Sequence, residues 1–114
     1  MNMLFLQTIG GYMDIREVGR RVYISLCNAN SRNQGREIFV SLDDLVRDVQ
    51  SGASVEISRE QIVDAIENDP FRQVNAYGVI TNIPLFDTGR TNGVLTSVQL
   101  PKLAYENPEQ WGLD

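Results

Sequence analysis

Two stretches of this chain combine arginine, asparagine and glycine: LCNANSRNQGRE at 26–37 and DTGRTNG at 87–93. Arginine offers a planar fork of N–H donors that matches a carboxylate or phosphate, and loop asparagines and glycines add amide donors beside it. Asn30, Arg32, Asn33, Arg36, Arg90 and Asn92 are therefore the candidate residues for a small anionic ligand, provided that both stretches are loops on one edge of a sheet. Nine arginines against a single lysine, Lys102, favour such planar recognition. The second candidate is carboxylate chemistry. Residues 37–69 carry a net charge of −7, whereas residues 1–36 carry +3. Glu60, Asp64 and Glu67 follow one another at helical spacing, and Asp43, Asp44 and Asp48 precede them. Such a face repels itself and gains by meeting a cationic protein partner, or the basic first third of another copy.

The residue types also exclude much chemistry. With no histidine and one cysteine, Cys27, the chain lacks the parts for Ser-His-Asp or Cys-His catalysis and for ordinary zinc or iron–sulfur sites. No phosphate-binding glycine motif occurs, and no cofactor is expected. A net charge of −5 without lysine clusters argues against direct nucleic-acid binding. Phe86-Asp87-Thr88-Gly89 resembles the Asp-Thr-Gly loop of retropepsin-type aspartic proteases, which would imply a dimer sharing a proton between two carboxylates. Only 25 residues follow Gly89, too few for the remaining parts of that pattern. VYISLCNANSRNQGREIF is similar to the first segment of antirestriction DNA mimics at Tyr23, Leu26, Asn30 and Gly35, although the aromatic Phe39 comes late and the acid density is low.

The elements that must position these residues follow from periodicity. DIREVGRRVYISLC alternates and is interrupted at Gly19, which predicts strand, bend and strand, with a further strand over Glu37–Val40. Ser41 then caps a helix carrying Leu42, Leu45, Val46 and Val49 on one side, ending at Gly52. A similar strand and helix follow at an offset of 17 residues, the helix opened by a Ser58-x-x-Gln61 capping box and stopped before Pro70. QVNAYGVITNI (73–83) and NGVLTSVQL (92–100) predict two more strands, and Trp111 is expected to pin the tail.

The expected whole is an α+β single domain: a mostly antiparallel sheet of about five strands with two short helices on one face. Residues 1–12 are expected to be an extension or edge segment, 13–104 the domain, and 105–114 a tail packed by Trp111. No run is long and apolar enough to span a membrane, and a lone cysteine suits the cytoplasm. The function expected is a small non-enzymatic binding protein, of the kind carried as a phage or mobile-element accessory. It would hold a protein partner on the acidic helical face or a small anion on the Arg/Asn loops. The alternatives are an antirestriction-like acidic mimic that inhibits a nucleic-acid-binding protein, and a dimeric Asp-Thr-Gly protease.

Overall fold

Whether Val18, Val22, Leu26 and Ala29 belong to strands or to one helix decides the architecture. In the computed structural model, which describes residues 13–113, they line the buried side of a single α-helix, α1 (Ile15–Arg32). Their spacing of four, four and three is helical. Asp14 caps the helix by accepting the Glu17 N–H at 2.8 Å. The expected strand, bend and strand are thus overruled, because the β-branched residues that alternate also satisfy the longer period. Gly19 is not a bend. It lies inside α1 where the Phe71 ring presses on the backbone, and a Cβ there would stand 2.9 Å from Phe71 Cε2.

The remaining elements are β1 (Val40–Ser41), α2 (Leu42–Gly52), α3 (Arg59–Glu67), β2 (Arg72–Val74), β3 (Ile80–Pro84), β4 (Asp87–Thr91), β5 (Val94–Gln99), α4 (Lys102–Glu106) and a 3-10 turn over Pro108–Trp111. Both predicted caps are present. Ser41 accepts from the Asp44 N–H, and Ser58 and Gln61 satisfy each other's backbone amides. The strand expected before α3 does not form, although Ile57 is buried there.

The fold is α+β, and among the described residues five strands, all paired antiparallel, fall into two sheets. One has the order β1-β5-β4 and the other is the hairpin β2-β3. The continuous strand expected over 73–83 is broken by a turn at Asn75–Gly78, whose Gly78 has φ 78°. Among the described residues four α-helices stand where two were expected, since α1 and α4 were not anticipated. Helix α1 packs on α2 and α3, while α2 covers β5. Val22, Leu45, Ile62, Ala65, Val98 and Leu100 are fully enclosed between these layers. Trp111 is buried and its Nε1–H donates to the Ile83 carbonyl, fastening the C-terminal turn to the second sheet. The expected extension at 1–12 lies outside the described residues.

Candidate functional site

Helix α3 buries Ile62, Ala65 and Ile66, so the other positions of its period are turned outward. Arg59, Glu60, Val63, Asp64, Glu67 and Asn68 line a shallow concavity of about 450 Å³ on that face, with half-buried Val63 among the charges. A second concavity of about 230 Å³, lined by Met13, Ile15, Val18, Gln61 and Asp64, adjoins it at Asp64. Three of the six carboxylates expected to meet a partner thus share one hollow.

Their electrostatics are more balanced than the sequence implies. Glu67 is held by both terminal nitrogens of Arg90, which reaches over from β4. The hydrogen bond from Arg90 holds the Glu67 carboxyl below its ordinary range, and Glu67 in turn pushes the guanidinium up. Asp43 pairs with Arg59 at 2.9 Å, and Asp44 with Arg47 at 2.8 Å; the latter bond lowers the Asp44 pKa. Asp64 accepts from Asn68 Nδ2 at 2.6 Å, and Asp48 from the Ser25 hydroxyl on α1. Among the described residues, Glu60 alone of the six has neither an ion pair nor a side-chain hydrogen bond.

The anion cluster expected from the two Arg/Asn stretches is not assembled. Residues 26–32 belong to α1 and 87–91 to β4, so neither stretch is the loop that the expectation required. Asn30 is fully buried and its Nδ2 donates to the Leu100 carbonyl at 3.0 Å, where it ties α1 to the end of β5. Asn33 closes α1 and donates to the Arg36 and Glu37 carbonyls, while Arg36 reaches Gln34 Oε1 at 2.6 Å. Arg32 lines a groove of about 290 Å³ with Phe39, Val40 and Asp44. Arg90 is taken by Glu67, and Asn92, at φ 53°, forms the β4–β5 turn with Gly93. The basic first third expected to meet the acidic face of another copy is not built of strands, its arginines being spread along α1 and its end.

Asp87-Thr88-Gly89 lies inside β4, paired with Gln99, Val98 and Ser97 of β5, and not on a loop. Burial, and then the charge of Glu37, push the Asp87 carboxyl up. Burial also raises the Cys27 thiol, away from its nucleophilic form.

Sequence reasoning missed Asp69. This buried carboxylate accepts the Phe71 N–H at 2.9 Å, the Leu85 N–H at 2.7 Å and the Phe86 N–H at 3.0 Å. Burial pushes its pKa up, although the three amides pull it down. It joins the end of α3 to both strands of the second sheet at the base of the β2–β3 hairpin. The signal was an acid directly before Pro70, the position of a capping turn.

No protein family, curated protein or solved structure matches this chain. Among the described residues, no helix is long and apolar enough to cross a membrane.

Proposed function

We propose that this protein is a non-enzymatic binding module that receives a cationic protein segment on the outward face of α3. The observation that carries this reading is the hollow in which Glu60, Asp64 and Glu67 surround Val63. A lysine- or arginine-bearing segment laid there would set its aliphatic stems against Val63 and its charges against the carboxylates. Glu67 is already occupied by Arg90, so Glu60 and Asp64 are the residues that would gain most.

Connectivity supports the same face. The series α1, β1, α2, α3 and, after the inserted β2–β3 hairpin, the β4–β5 hairpin, with β5 between β1 and β4, resembles a helix-turn-helix unit that carries a hairpin wing. In DNA-binding units of that kind the second helix is the one laid in the major groove. Here that helix carries Glu60, Asp64 and Glu67 against Arg59, a charge that phosphates repel and a basic protein attracts. The lone Cys27 suits a reducing compartment such as the cytoplasm.

The test compares the parent with Glu60→Lys plus Asp64→Lys as baits, with circular dichroism confirming the fold of both. Proteins cross-linked to α3 of the parent through a Lys/Arg-rich segment should be lost from the variant, and the parent should not retard duplex DNA at low salt. Retention of the same partners by the variant, or retardation of DNA by the parent, overturns the proposal.

A further inference from the structure

Arg21 is half-buried on α1, and its Nε is enclosed without a hydrogen-bond partner. Among the described residues it joins no salt bridge either. A charged N–H donor held away from water and unmatched by an acceptor is costly, and buried polar groups are otherwise satisfied almost everywhere. Arg21 lines a cavity of about 190 Å³ between α1 and α2 that shares no residue with the hollows on α3. From α1 come Arg21, Ile24, Ser25 and Asn28, which recur at the spacing of one helical face. From the end of α2 come Asp48 and Val49. The two walls have opposite polarity. The α1 wall offers donors in the Arg21 guanidinium and the exposed Asn28 amide. The α2 wall offers acceptors: the Asp48 carboxylate, whose Oδ2 is fixed by the Ser25 hydroxyl, and the carbonyl end of the helix with its partial negative charge. Arg21 and Asp48 line the same cavity without pairing with each other, and Ile24, 51% exposed, and buried Val49 give it apolar surface.

We infer that this cavity binds a free α-amino acid with an aliphatic side chain, carboxylate toward Arg21 and Asn28, ammonium toward Asp48 and the α2 carbonyl end. The planar guanidinium matches a carboxylate, and the three donors of an ammonium match Asp48 and the helix-end carbonyls. The side chain would lie against Ile24 and Val49. Size limits the ligand as charge does: about 190 Å³ is below the ~300–1,000 Å³ of sites for drug-sized molecules, which leaves no room for a nucleotide or a longer peptide. A ligand with one charge satisfies one wall and leaves the other unmet, so the site selects for both charges together. This site is separate from the α3 face and does not depend on what that face receives.

Isothermal titration of the full chain with L-alanine, L-valine and L-leucine, and with acetate and methylammonium as single-charge probes, reads the result. At least one of the amino acids should bind, and acetate and methylammonium should each bind more weakly than it by about tenfold or more. Arg21→Met and Asp48→Asn should each weaken that amino acid by a similar factor, with circular dichroism confirming the fold of both. The first variant removes a buried Nε that has no hydrogen bond to lose, so its fold should persist. Should either variant misfold, the second measurement is the set of backbone amide chemical shifts that the amino acid moves in the parent, expected at 21–28 and 48–52. Absence of binding by all three amino acids overturns the inference. So do equal binding of acetate, which would leave a simple anion site, equal binding of methylammonium, a folded variant that binds like the parent, or shift changes centred on another element.

Discussion

Asp69 is the side chain whose loss should be felt most widely. Three backbone N–H groups converge on it from both ends of the hairpin, and removing an acceptor strands buried donors at about 1–3 kcal/mol each. Asp69→Asn turns an amide N–H₂ toward donors that cannot accept, so unfolding in urea should lose about 2–4 kcal/mol of stability. A loss below about 1 kcal/mol would mean that water satisfies those amides as well. The Glu67–Arg90 pair tests a different property. A carboxyl whose pKa is lowered on folding contributes stability above its unfolded pKa and loses it as the pH falls through the lowered folded value. Both side chains are about a third exposed, so the titration is a better readout than stability. The Glu67 carboxyl carbon, followed by NMR, should titrate at higher pH in Arg90→Gln than in the parent; an unmoved midpoint would show the pair unformed in solution.

Helix α1 tests the balance between intrinsic propensity and packing. Gly→Ala inside an open helix gains up to about 1 kcal/mol, but at Gly19 the new Cβ would meet the buried Phe71 ring. That ring stands edge-on to Phe86 at 86°, with the Arg16 guanidinium 4.7 Å from its centroid, so it has little room to yield. Overpacking typically costs 1–3 kcal/mol and should win, and a Gly19→Ala protein with a raised melting temperature would refute the close contact. Removal of the capping box by Ser58→Ala should cost about 1 kcal/mol, read as a lower midpoint in thermal unfolding. The two outcomes also explain which elements the sequence disclosed. Ser41 and Ser58-x-x-Gln61 are local devices whose hydrogen bonds close within a few residues, so α2 and α3 were legible. Helix α1 was misread because Val22, Ile24 and Leu26 alternate as well as recur, and because Gly19 answers to a ring 52 residues away. The acidic face was legible from the spacing of Glu60, Asp64 and Glu67, whereas Arg90 closing on Glu67 depends on a β4 that reads as a loop.

At the scale of the molecule, the lone Trp111 reports on how the parts hold together. It is buried beneath the second sheet, so its fluorescence follows the tail and hairpin while circular dichroism follows chiefly the helices. The two signals should move at one urea concentration if the chain unfolds in a single step. An earlier fluorescence change would mean that the hairpin and tail detach before the helical layer opens. Trp111→Ala should lower stability by about 3–5 kcal/mol, in keeping with the loss of a large enclosed aromatic. The convergence on Asp69 has a further consequence for how such a protein can change over time. Phe71 leaves its carboxylate and Leu85 and Phe86 return to it, so the excursion between them is closed at its base. A loop closed at its base can be lengthened at only about 0.6 kcal/mol per doubling. Residues 72–84 are therefore positioned as an interchangeable cassette: descendants could swap this hairpin for another of different length and specificity, provided that Asp69 and the contacts beneath Trp111 are kept or replaced together.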